Sequence, residues 1–295
     1  MEKMEIIIAK YSGLCFGVRR AIEIASSART EYAGCVTTLG ELIHNPRVIQ
    51  ELERRGIQSE SDPDNIREGT VIIRSHGVSP SLTETLRQKN VKIIDATCPT
   101  VKKIHHLVAA LAEKGNQIVI VGDPAHPEVV GIKGYSRNQA VICEKPEDAE
   151  ALPFEKKRAL VAQSTQSLAL LRQIAGILIS NTEELTVYNT ICESTRNRQE
   201  SIRQLAGDVD TMIIIGGKQS SNTRQLFRLA RKIQPQTYFV ETAEDITPEM
   251  IKGIHKIGLG GGASTPPEAI QEAVDKINSS FELQFQRENK GQCQT

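Results

Sequence analysis

A cysteine at the mouth of an amphipathic helix, preceded by a β-branched run and a short polar turn, occurs three times in this chain. The three stretches are EIIIAKYSGLCFGVRRAIEIA, VKIIDATCPTVKKIHHLVAALA and LTVYNTICESTRNRQESIRQLA, and they put Cys15, Cys98 and Cys192 at matching places. After each comes a second strand ending in a polar turn: VTTLGELIHNP, QIVIVGDPAHPE and TMIIIGGKQSSN. A third strand then runs into a serine-containing end, with glycine beside it in the first and third rounds: TVIIRSHGVSP, RALVAQSTQS and HKIGLGGGASTP. Rounds two and three insert a short piece ending in acidic residues, AVICEKPEDAE and TYFVETAEDI, for which round one has only the weaker IQSESDPDN. This is triplication of a unit of about 95 residues, visible in pattern and not in identity.

Strands alternating with helices predict an α/β fold with mostly parallel sheets. Helical spacing supports the helices: Ile104, Leu107, Val108 and Leu111 fall at i, i+3, i+4, i+7, as do Ile270, Ala273, Val274 and Ile277. The expectation is three similar small lobes around a pseudo-threefold axis, over residues 1–90, 91–184 and 185–280, with a polar tail at 281–295. The boundaries are soft, because the strand before each cysteine is able to pack with the preceding lobe. Ligands of parallel α/β sheets gather beyond the carboxyl ends of the strands, so the polar turns are expected to converge on a central cavity.

Composition narrows the function. Lys+Arg and Asp+Glu are equal at 36 each, so the basic excess that nucleic-acid or anionic-membrane binding draws on is missing. Tryptophan is absent and aromatics are 4%, which argues against a stacking platform for bases or sugars. No run approaches the ~18 apolar residues of a membrane span, and MEKMEIIIAK is too short in apolar residues for a signal peptide. A cytoplasmic setting with reduced thiols is expected, since six cysteines are too sparse for a disulfide scaffold.

A thiolate at a helix N-terminus is favoured by the helix dipole and the free N–H groups. Basic residues follow each repeated cysteine by about one turn: Arg19 and Arg20, Lys102 and Lys103, Arg196 and Arg198. From spacing alone three readings stay open: buried core thiols, a zinc site completed by water, or a cubane iron–sulfur cluster with one iron lacking a protein thiolate. Cys35 and Cys143 read as core residues in strands, and Cys293 lies in the tail.

The polar turns point to an anion. His44, His76 and His126 sit at strand ends, joined from the third round by Ser220, Ser221, Asn222 and Ser264. That set offers hydrogen-bond donors suited to phosphate or diphosphate, with backbone N–H groups from helix starts beside them. His105, His106 and His255 lack this setting. Glu128, two residues from His126, would serve as a proton donor if burial raised its pKa, and Ser164 and Thr165 could relay the proton. Gly258-Leu259-Gly260-Gly261-Gly262-Ala263 also fits the dinucleotide pattern G-x-G-x-x-A, but no second strand with an acidic ribose ligand follows it.

At these residues the chain resembles the 4-hydroxy-3-methylbut-2-enyl diphosphate reductase family of the methylerythritol phosphate route. The resemblance runs from about residue 5 to 280. It rests on GLCFGV at Cys15, IHNP at His44, SHGVSP at His76, DATCP at Cys98 and HPE at 126–128. Further on come QST at 163–165, C-x-x-T-x-x-RQ from Cys192, SSN at 220–222 and GAST at 262–265. It implies a trilobed α/β iron–sulfur reductase whose [4Fe–4S] cluster is held by Cys15, Cys98 and Cys192, with one iron open to substrate. It further implies a diphosphate pocket of His44, His76, His126, Ser220, Ser221, Asn222 and Ser264, with Glu128 as proton donor and Ser164 or Thr165 as relay. A ferredoxin- or flavodoxin-type electron donor is implied too. A zinc-dependent phosphoester hydrolase using the same thiolates is the alternative. Two departures stand out: Ser164 replaces the first threonine of the family's Q-T-T, and Gly260–Gly262 replaces a commoner Thr-Ala-Gly, a change expected to affect backbone freedom.

Overall fold

Twelve strands form among the residues that the computed structural model describes, 4–32 and 34–292, and every strand pairing is parallel. They make three four-stranded sheets of one design. In spatial order the first sheet is Ile57–Glu60, Val36–Leu39, Glu68–Ile73 and Asn90–Asp95. The second is Val141–Cys143, Gln117–Val121, Glu155–Ala162 and Thr182–Val187. The third is Thr237–Val240, Thr211–Ile215, Lys256–Gly261 and Glu5–Ile8.

One edge of every sheet is the short inserted strand, which forms even in the first round where its pattern is weakest. The other edge is the strand that precedes a cysteine, and it belongs to the sheet of the previous round. Ile93 pairs with Val71 ahead of Cys98, Val187 with Leu160 ahead of Cys192, and Ile7 with Gly258 ahead of Cys15. The acidic residues that follow the inserted strands are caps. Asp148 accepts the N–H groups of Glu144 and Lys145 at 2.8 and 3.0 Å, and Asp245 does the same for Glu241 and Thr242 at 2.8 and 3.1 Å.

The second sheet shows why these runs are strands. Ile118 and Ile120 pack with Ile104, Val108, Val129 and Ile132 on one face, while Val119 and Val121 pack with Leu171, Ile174 and Leu178 on the other. Period-two alternation between two helix layers requires an unbroken apolar run, which is what a parallel sheet covered on both faces needs. Full burial of one such side chain contributes about 1.5–3 kcal/mol.

The glycine-rich strand Lys256–Gly261 has a packing reason. A Cβ on Gly258 would collide with Met212, and one on Gly260 with Ile202 of the helix Glu193–Ala206. Neither glycine, nor Gly261 or Gly262, has a positive φ. The glycines therefore provide clearance for a close helix, and the expected effect on backbone freedom is not what they supply.

The first two sheets fall within one compact unit, Phe16–Glu193, and the third falls within a second unit built from the chain up to Cys15 and from Ser194 onward. The last helix, Pro267–Gln292, continues past residue 281 into the stretch read as a polar tail, while Cys293 lies outside the described residues. Cys143 is fully buried in its strand, and burial raises its thiol to about 11. Cys35 contradicts the core reading: it is exposed and precedes the strand Val36–Leu39 instead of lying in it. Ile120→Ala should lower unfolding stability by about 2–5 kcal/mol through the cavity it leaves, measured by urea denaturation. A loss below 0.5 kcal/mol would contradict the two-layer core.

Candidate functional site

One backbone hydrogen bond recurs at all three cysteines. The N–H of Cys98 donates to Ser75 O at 2.9 Å, that of Cys192 to Ser164 O at 2.9 Å, and that of Cys15 to Ala263 O at 2.9 Å. Each acceptor lies just beyond the third strand of its round. The cysteine thus leaves its strand at a fixed height and enters a helix: Phe16–Glu31, Pro99–Glu113 or Glu193–Ala206. Cys98 occupies the N-cap without capping through its side chain. All three cysteines are partly exposed and none forms a disulfide.

Around Cys15 the turn is braced by Arg198, a residue the sequence marks only as one of several basic neighbours. Arg198 is buried, and its Nη2 donates to Gly13 O at 2.6 Å while Nη1 donates to Ser194. Gly13 takes φ +91°, which a side chain would resist.

Glu128 stands at the start of the helix Pro127–Tyr135, 2% exposed. The Ser164 N–H donates to its Oε1 at 2.6 Å and the Ser164 hydroxyl to its Oε2 at 2.8 Å. Burial holds this carboxyl above the ordinary carboxylate range, and the two Ser164 bonds offset that shift only in part. Ser164 therefore joins three functions in one residue: its N–H and hydroxyl hold Glu128, and its carbonyl holds the Cys192 turn. Thr165, next in the chain, is partly exposed.

His44, His76 and His126 come together within the unit Phe16–Glu193. The His44 and His76 rings stack at 4.4 Å and 24°, and His126 stands edge-on to both at 5.3 Å. One nitrogen from each lies within 4.8 Å of the others, close enough to share a metal ion or an anion. Local bonding favours the anion. The Glu128 N–H donates to His126 Nδ1 at 3.1 Å, so the neutral His126 ring carries its proton on Nε2 and offers a donor there. A metal would need a lone pair at that atom. His44 Nδ1 lies 3.1 Å from Glu41 Oε2, a bond in which the ring donates because a carboxylate only accepts. Burial first, then the rings of His44 and His126 and the charge of Arg74, push His76 well below its ordinary 6.5. Two unit charges at 5 Å repel by roughly 3 kcal/mol at an effective dielectric of 20, so the trio resists full protonation until an anion arrives. His76 Nδ1 is buried without a hydrogen-bond partner among the described residues.

The third-round residues belong to the other unit. Ser220 caps the helix Ser221–Ile233 by accepting the Thr223 N–H at 3.3 Å, and Ser264 lies buried just past the strand Lys256–Gly261. Asn222 is 3% exposed, and both its Nδ2 and its Oδ1 lack partners among the described residues. A buried amide left so costs about 1–3 kcal/mol unless a ligand completes it. His105, outside the candidate set, is a packing residue. It is 3% exposed, stacks on Tyr135 at 4.2 Å, and is held by burial at a pKa of about 4. Its ring lies against Gly77, where a Cβ would approach His105 Cε1 to 2.5 Å.

A parallel α/β fold built of three matched rounds, with thiols, imidazoles and a buried carboxyl at the strand ends, defines the class of protein. The family model of the LytB protein matches residues 6–278, and the chain belongs to that family. A 4-hydroxy-3-methylbut-2-enyl diphosphate reductase of Aquifex aeolicus is 43% identical over 96% of this chain and 99% of its own. One of the same name from Caldanaerobacter subterraneus subsp. tengcongensis is 46% identical over 94% and 97%. Among solved structures, (E)-4-hydroxy-3-methyl-but-2-enyl diphosphate reductase, the terminal enzyme of the non-mevalonate pathway, is 42% identical. It covers 94% of this chain and 99% of its own at a TM-score of 0.69. The E-1-hydroxy-2-methyl-but-2-enyl-4-diphosphate reductase from Plasmodium falciparum is 28% identical, covering 92% and 87% at a TM-score of 0.87. The family resemblance read from the motifs is borne out. No helix among the described residues is long and apolar enough to cross a membrane.

The depressed His76 predicts the pH dependence of anion binding. A bound anion raises the histidine pKa above its value in the free protein, so the complex holds more protons. Affinity for inorganic diphosphate should be greatest below the free pKa, which lies under 6.5, and fall as pH rises through the bound one. Calorimetry in buffers of different ionisation enthalpy should detect proton uptake; binding without uptake would refute a histidine-lined anion site.

Proposed function

We propose that this chain reduces 4-hydroxy-3-methylbut-2-enyl diphosphate to isopentenyl and dimethylallyl diphosphates, the last step of the methylerythritol phosphate route. The observation that carries the reading is Glu128: a buried carboxyl with a raised pKa, fastened to Ser164 at 2.6 and 2.8 Å, two residues past the helix cap His126. A raised carboxyl pKa keeps the proton bound to higher pH than an ordinary carboxylate would, which suits donation to a departing hydroxyl.

The balance is simple. The substrate's C–O bond breaks and its oxygen leaves as water, taking one proton, while two electrons and a second proton form the new C–H bond at either end of the allyl unit. His44, His76 and His126, with Ser220, Ser221, Asn222 and Ser264, are proposed to bind the diphosphate. Glu128 protonates the leaving oxygen, with Ser164 as the hydroxyl in contact with it and Thr165 as the further relay candidate.

The donor set at the cysteines fits a [4Fe–4S] cluster. Cys15, Cys98 and Cys192 share one backbone hydrogen bond, one helix-start position and partial exposure, whereas Cys143 is sealed in a strand with a raised pKa. We assign the three as cluster ligands. Such a cluster supplies electrons one at a time and a Lewis-acidic iron without a protein thiolate. A ferredoxin- or flavodoxin-type protein would deliver the electrons, in a cytoplasm that keeps the thiols reduced. The zinc hydrolase is not favoured, since the relatives carry the reductase name over nearly their full length.

Anaerobically purified chain, given the allylic diphosphate and a reductant, should release water and two isomeric products; absence of turnover would reject the assignment. Glu128→Gln should retain diphosphate binding and lose about 10²–10⁴-fold in kcat. In the parent enzyme kcat should decline as pH rises through the elevated Glu128 pKa, and this limb should vanish in the variant. An unchanged rate would remove Glu128 from the proton path.

A further inference from the structure

Arg74 lies two residues before His76, just beyond the strand Glu68–Ile73. Just past the neighbouring strand Val36–Leu39, Gly40, at φ +70°, leaves the space its guanidinium occupies, because a Cβ there would collide with Arg74 Nη1. Arg74 Nε is buried with no hydrogen-bond partner among the described residues. Its guanidinium likewise has no ion-pair partner among them. Burial lowers its pKa from the usual guanidinium value, and the charge that opposes this shift is that of Glu41, the half-exposed carboxylate bonded to His44. Arg74 is also close enough to His76 for its charge to resist protonation of that ring.

A partly buried cation without a counter-ion is costly, and folded proteins normally pair or hydrogen-bond such charges. Here a charge offset only in part by the half-exposed Glu41 stands near His76, whose ring packs against those of His44 and His126. The histidines lose charge as pH rises, whereas a guanidinium keeps its charge throughout and presents a planar fork matched to phosphate oxygens. We infer that Arg74 is a further binding residue for the substrate's diphosphate, supplying the permanent positive charge of the histidine site.

The inference rests on the functional reading above, and one assay separates the two. Inorganic diphosphate is titrated calorimetrically into the anaerobically purified full chain, wild type and variants. Arg74→Gln should weaken binding by about 10–100-fold, the loss expected for a charge-assisted hydrogen-bonded contact, and Arg74→Lys should recover part of it. Binding by Arg74→Gln within about twofold of wild type overturns the role of Arg74. If His76→Ala still loses affinity in that case, the histidine anion site stands without it. If both variants bind as wild type does, the site reading falls as well. Should Arg74→Gln fail to fold, the ¹⁵N resonance of Arg74 Nε in the wild-type protein decides: a diphosphate-dependent shift supports the contact and an unmoved signal overturns it.

Discussion

The contact on which the proposed chemistry depends is a single serine. Ser164 turns its carbonyl to the Cys192 N–H at 2.9 Å, its own N–H to Glu128 Oε1 and its hydroxyl to Oε2. A proton donor and a proposed metal ligand are thereby set by the same backbone residue, and neither can shift without the other. Ser164 keeps its place because the strand before it, Glu155–Ala162, is buried over its last five residues between two helix layers. Precision at the strand end is inherited from packing in the sheet.

Triplication then explains how one scaffold carries different chemistry in each round. The backbone device is constant: a strand-end carbonyl at Ser75, Ser164 or Ala263 receives the cysteine N–H. The side chains differ. The next residue is His76, Thr165 or Ser264, and the helix caps after the second strands are Asn45, His126 and Ser220. His126 gains by this position, since acting as cap holds its Nδ1 as an acceptor and leaves Nε2–H to point elsewhere.

Period and punctuation in the sequence reveal the strands, the helix starts and the matched cysteines, because each depends on residues within one turn or one strand. The motif set also brings Glu128 together with Ser164, and the three histidines with one another, as the structure does. Features set by distant partners stay hidden. That Glu5–Ile8 closes the sheet of the last round depends on Lys256–Leu259. The glycines at 258 and 260 answer to Met212 and Ile202, and Arg198 answers to a carbonyl at Gly13. Arg74 carries no pattern of its own; only the space above Gly40 and a buried Nε without a hydrogen-bond partner among the described residues distinguish it. Cys35 misleads because an apolar neighbourhood in sequence does not fix which residue begins the strand.

The central claim is that Cys15, Cys98 and Cys192 act together as ligands of one iron–sulfur core. Its most direct measurement is the iron and acid-labile sulfide content of chain purified without oxygen, alongside the same analysis of Cys98→Ser. The account predicts about four of each per chain, with a visible absorption that dithionite bleaches, and loss of both in the variant. Zinc in a colourless protein, or an intact cluster in Cys98→Ser, would contradict it.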